Sequence, residues 1–270
     1  MGVGTTDRHD IRKTMPLKLN KLSDATIQKD ILNNQERVKK FLSADPASQL
    51  RSDPLRYSER LADASLVLGL EMYQQERNPA EIRESLALAG KELLAVLALP
   101  QDQAVLSPLE FEKALALAVC FCPPSVYQNV DQFPLKKFFV NPESQKFFAI
   151  LAQYLDVLRK FLPSRKLDQA EWEKVEAQCR QSTAARFDAE VTLAKLTALK
   201  AVDAGDGTML NQGVATLVED HENEAKHGEN QRSSRAFICL PALMFARLGA
   251  DRKLECTVRS PYLPLQLLSH

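Results

Sequence analysis

Glycine is scarce, with 9 residues in 270, about 3% against a usual ~7%. A fold built on tight hairpins or glycine phosphate loops needs more, and neither G-x-G-x-x-G nor a Walker A lysine motif occurs. An excess of one charge is missing too: 35 Lys and Arg balance 35 Asp and Glu. That speaks against a general nucleic-acid binder, which shows a basic surplus. No run approaches the ~18 consecutive apolar residues of a membrane span. The opening carries Asp7, Arg8, His9, Asp10, Arg12 and Lys13 ahead of any apolar stretch, unlike a secretory signal. The five cysteines supply no framework: Cys120 and Cys122 are two apart, and Cys179, Cys239 and Cys256 are scattered. Neither paired disulfides nor a CxxC zinc site follows, so the thiols are expected to be reduced and mostly buried in a cytoplasmic protein.

What the chain does have is ordinary globular composition, 45% hydrophobic and 26% charged, and a helical period. The first 23 residues are polar and aperiodic and read as a loose arm. A helix starting at Asp24, taken as its N-cap, carries Ile27, Ile31, Val38, Phe41 and Leu42 to its end near Leu42. Ser52-Asp53-Pro54 opens the next, reaching about Arg77, with proline in the first turn where its missing N–H costs little. Asn78-Pro79 starts a third, with Ile82, Leu86, Ala89, Leu93 and Leu97 on one face. Ser107-Pro108 starts a fourth, running to about Phe121, and Cys122-Pro123-Pro124 breaks it.

A helix follows from Asn141-Pro142 to Pro163, and a long pattern from Asp168 to about Val202 fits one helix or two. Two more cover roughly 208–226 and 233–249. Leu254, Cys256 and Val258 alternate with polar residues and predict a short strand or hairpin. The sequence thus predicts an all-α fold, a single domain over 24–270 of about eight helices. These would pack as a bundle or as irregular stacked pairs, with a short extended C-terminal tail. In that tail Tyr262, Leu263, Leu265, Leu267 and Leu268 are too apolar to leave in water. Tyr262 and Leu263 are expected either to pack onto the body or to serve as an anchor for a partner.

Catalytic constellations are absent. There is no G-x-S-x-G elbow, Cys120 and Cys122 sit at the end of an apolar helix, and His9 and His270 lie near termini. The densest chemistry is Glu219, Asp220, His221, Glu222, Glu224 and His227. Metal-binding histidines on a helix stand four apart on one face. These stand six apart, about 240° around, so no metal site is expected. The four carboxylates remain as candidates for binding a basic partner. No catalytic residue and no cofactor is assigned.

The C-terminal third has recognisable wording. Residues 187–200 read Phe-Asp-Ala-Glu-Val-Thr-Leu-Ala-Lys-Leu-Thr-Ala-Leu-Lys, and a polar segment around His221 follows. Then come Leu240-Pro241-Ala242-Leu243-Met244-Phe245-Ala246-Arg247-Leu248-Gly249 and Arg259-Ser260-Pro261-Tyr262-Leu263-Pro264-Leu265-Gln266-Leu267-Leu268. This order resembles the immunity protein 49 family of bacterial polymorphic-toxin and contact-dependent competition systems. The similarity covers most of residues 50–268 and is most specific from 187 onward.

The resemblance implies a mostly helical protein that neutralises a cognate toxin by binding it. It supplies no catalytic residues. On that reading Glu219, Asp220, Glu222 and Glu224 would face a basic cleft of a toxin acting on nucleic acid, with rim charges steering the encounter. Two other classes stay open: a helical scaffold that binds peptides, and an enzyme whose site is assembled from scattered carboxylates.

Overall fold

The computed structural model describes residues 19–45, 52–99, 107–133, 148–181 and 186–268. Among them are nine α-helices and no strand, so the fold is all-α. The helices are α1 (Asp24–Leu42), α2 (Pro54–Gln74), α3 (Pro79–Ala98), α4 (Pro108–Phe121), α5 (Ala149–Ser164), α6 (Gln169–Gln181), α7 (Arg186–Ala204), α8 (Gly207–His227) and α9 (Leu240–Asp251).

Their starts follow from local chemistry. The side chains of Ser23, Asp53, Asn78, Ser107 and Asp206 each accept a hydrogen bond from a first-turn backbone N–H, satisfying donors that the helix leaves orphaned. Proline occupies the first turn of α2, α3, α4 and α9, where it removes no helical bond. The cap of α1 is Ser23 and not Asp24: its hydroxyl lies 3.2 Å from Thr26 N. Helix α5 ends one residue past Pro163, on Arg165 in the left-handed conformation at φ 54°.

Helices α1 to α4 form a row of antiparallel neighbours. Phe41 of α1 meets Tyr57 of α2 edge-on at 5.6 Å, while at the other end of the pair Gln28 bonds Gln75. Ser58 of α2 reaches Glu92 of α3, and Cys122 after α4 reaches the Ala87 carbonyl of α3. Gly90 is where α3 and α4 press together: a Cβ there would lie 3.0 Å from Ala118 N. A second group, α5 to α7, packs around Trp172, whose indole N–H donates to the Leu196 carbonyl at 3.0 Å, and α8 lies on α7. Helix α9 joins the two groups by touching α4, α7 and α8, and Ala242–Ala246, Leu248 and Gly249 are accordingly all buried. One continuous apolar core runs through the described residues.

Two further expectations from the sequence are overturned. Residues 1–18 of the expected arm lie outside the described residues, but 19–23 are docked. Leu19 is buried, Asn20 donates to the Ser233 carbonyl at 2.8 Å, and Lys21 N donates to the Gln231 carbonyl at 2.7 Å. The apolar Leu19 and these backbone bonds outweigh the polar composition around them. The strand expected at 254–258 is absent. Asn211 of α8 takes the place of a partner strand: its amide donates to the Glu255 carbonyl at 3.0 Å and its carbonyl accepts from Thr257 N at 2.7 Å. The start of the helix expected from Asn141, residues 141–147, and residues 182–185 of the pattern expected from Asp168 to Val202 lie outside the described residues.

The C-terminal segment packs into the body. Tyr262 is 1% exposed and Leu263 and Leu267 are buried. The Tyr262 hydroxyl donates to the Leu19 carbonyl at 2.8 Å, and its own carbonyl accepts from Cys239 N at 2.8 Å. One residue, through its hydroxyl and its backbone carbonyl, thereby ties both ends of the described chain to the entry of α9.

Candidate protein-binding surface

Helix α8 carries the four acidic candidates. Gly205, at φ 73°, makes the tight turn from α7, a conformation that favours glycine. Leu210, Gly213, Val214, Leu217, Val218 and Ala225 then form the buried stripe. Gly213 lets α8 lie close on α7: a Cβ there would come 2.9 Å from Ala198 Cβ and 3.0 Å from the Ala194 carbonyl. This contact fixes which way the polar end of α8 points.

The four carboxylates do not form one patch. Glu219 and Glu222, three apart, share one side of the helix; Asp220 and Glu224, four apart, share the next. Glu219 is exposed and the other three are half-buried. Glu222 is engaged by Lys226 one turn on. Glu224 folds over Gly228 and accepts a hydrogen bond from Glu229 N at 3.3 Å, so it also caps the 3-10 turn Glu229–Arg232.

Asp220 is the perturbed member. Burial holds its carboxyl above the ordinary range, Glu224 and Glu190 push it further, and Lys195 pulls the other way. Glu190, near the start of α7, therefore adds its charge to the same acidic end; its place in an alanine- and leucine-rich helix gave no signal for this. Lys195, the cation beneath, is already paired with Glu112 at 2.8 Å, both side chains being 7% exposed.

His221, between the acids, acts structurally. His221 Nε2 lies 2.9 Å from the Ala236 carbonyl and the ring meets Tyr262 edge-on at 5.5 Å. Burial keeps its pKa below the usual histidine value. His227, at the end of α8, is exposed. Among the described residues no group of three or more His, Cys, Asp or Glu side chains is placed to hold a metal ion. The cysteines are free thiols, with Cys120, Cys179 and Cys239 buried. Burial pushes Cys122 up to about 11 and Cys239 up to about 12, so neither is primed as a nucleophile.

The sequence offered one unused signal. Glu112 and Lys195 each sit on the apolar face of a helix, amid Leu115, Ala116 and Val119 in one case and Leu196, Ala198 and Leu199 in the other. A charge on a buried face must find a partner, but residues 83 apart cannot be paired by spacing alone.

Tyr262 and Leu263, the other two candidates, are in the core, Tyr262 beside His221 and Leu19. Among the described residues no helix is long and apolar enough to cross a membrane. No family model, curated protein or solved structure matches the chain.

Proposed function

We propose that this chain is a non-enzymatic immunity protein that binds a cognate bacterial toxin in the cytoplasm and blocks its active site, using the acidic end of α8. Two things support the reading. One is the wording of residues 187–268, which reads like that of the immunity protein 49 family although no family model matches the chain. The other, which carries the choice of surface, is Asp220: a half-buried carboxylate repelled by the charges of Glu224 and Glu190, while Lys195, the cation that offsets them, is already paired with Glu112.

A basic partner relieves that repulsion. Guanidinium or ammonium groups lining a nucleic-acid-cleaving site would pair with Asp220, Glu224, Glu219 and Glu222 and be unable to hold phosphate. The acidic rim speeds the encounter, and salt weakens that effect. The proposed mode needs no cofactor. It does need a rigid display, which the Gly213 contact and the docked tail provide.

The test is co-purification of the full chain with the product of the neighbouring gene, followed by protection of cells that express that product. A stable complex with protection supports the reading. Absence of both, with a folded protein, refutes it.

A helical scaffold that binds peptides is the second reading. The observation on its side is the furrow between α1 and α2, lined by Gln35, Val38, Lys39, Leu42, Ser43 and Leu68. Leu32 and Leu42, 62% and 53% exposed, lie along the same side of α1.

A further inference from the structure

We propose that the core around Glu112, Lys195 and Tyr154 is an internal hydration site, with at least one water bound among their polar groups. The three residues come from α4, α7 and α5, of which α5 packs on both others. Lys195 Nζ donates to Glu112 Oε2 at 2.8 Å, which leaves the other carboxylate oxygen, Oε1, without a hydrogen-bond partner and shut off from solvent. The Tyr154 hydroxyl is equally buried and equally unpartnered. Lys195 has three N–H donors and gives one of them to Glu112. Its Nζ stands 5.6 Å from the centre of the Tyr154 ring. The Tyr154 hydroxyl is held well above its ordinary range, by burial first and by the charge of Glu112 second.

The place thus offers an acceptor, spare donors and a hydroxyl that can do either. Buried polar groups are rarely left unpaired, because each has given up its bonds to water. A buried ion pair in particular needs its remaining lone pairs and protons satisfied. A bound water typically makes about three hydrogen bonds to such groups. Here it would accept from Lys195, donate to Glu112 Oε1 and share a bond with the Tyr154 hydroxyl. The inference does not depend on what α8 binds.

The direct test is a crystal structure of the full chain at a resolution that shows ordered water. The expected result is a water within about 2.7–3.2 Å of Glu112 Oε1 and within the same reach of Lys195 Nζ or the Tyr154 hydroxyl. A Tyr154 hydroxyl bonded straight to Glu112 Oε1 with nothing between, or apolar side chains closing the space, overturns it. A solution test counts long-lived internal waters by oxygen-17 relaxation dispersion, in the natural protein and in the Glu112→Leu/Lys195→Met double variant. The natural protein should hold at least one more. Equal numbers in two folded proteins overturn the inference, and if the double variant does not fold, the crystal structure of the natural protein decides.

Discussion

Replacing Glu71 by glutamine should make the fold far less sensitive to alkali. Glu71 lies on α2, 2% exposed, with one carboxylate oxygen unpartnered. Burial, and then the charge of Asp30 on α1, raise its pKa from 4.5 to about 8, against a hydrogen bond from Ser234 that lowers it. The folded state therefore favours the protonated carboxyl. Its contribution to stability is fully present below the unfolded value of 4.5 and is lost as pH rises through about 8. At about 1.4 kcal/mol per unit, the full shift amounts to on the order of 5 kcal/mol. Solvent screening near the helix surface trims this to on the order of 2–4 kcal/mol. Glutamine keeps the shape and still accepts from Ser234, but it cannot ionise. Urea denaturation followed by circular dichroism at several pH values from 5 to 9.5 should show the natural protein losing stability up to about pH 8 and levelling off beyond it, while Glu71→Gln loses much less, with the variant ahead at the alkaline end. Two parallel curves across that range would refute the reasoning.

Three further outcomes follow from the packing. Lys195→Met alone should cost about 3–5 kcal/mol, because it strands the Glu112 carboxylate, whereas Glu112→Leu/Lys195→Met together should be near neutral or stabilising; chemical denaturation of the three proteins checks this. Gly213→Ala should destabilise by about 1–3 kcal/mol, since its methyl has no room between α8 and α7; a drop in melting temperature is the readout. Tyr262→Phe should lose about 1 kcal/mol with the bond to the Leu19 carbonyl and should speed hydrogen exchange at Lys21 N, while leaving toxin binding unchanged.

The parts of the fold that are local in cause were legible. Ser107-Pro108 and the Cys122-Pro123-Pro124 break bound α4, and the apolar stripe ending at Leu42 bounds the end of α1, because caps and prolines act within a turn. The parts that depend on distant partners were not. Leu254, Cys256 and Val258 alternate as a strand would, but the pattern does not reveal that Asn211, on another helix, takes the backbone bonds. Leu19 to Ser23 look like arm because the acceptors at Gln231 and Ser233 are some 210 residues away.

For the candidate surface, the acidic residues were visible as a cluster. Their division between two sides of α8 follows from helical spacing. That Glu190 joins Asp220, and that Lys195 is spent on Glu112, required the packing of α7 on α8 and α4.

The measurement that bears most directly on the proposed function is the binding kinetics of the neighbouring gene's product to the natural protein and to the Glu219→Gln/Asp220→Asn/Glu222→Gln/Glu224→Gln variant, at low and at high salt. If the acidic end of α8 receives a basic toxin, the variant associates more slowly at low salt and the difference shrinks at high salt. A folded variant that binds with unchanged rates at both salt concentrations would contradict the assignment of this surface.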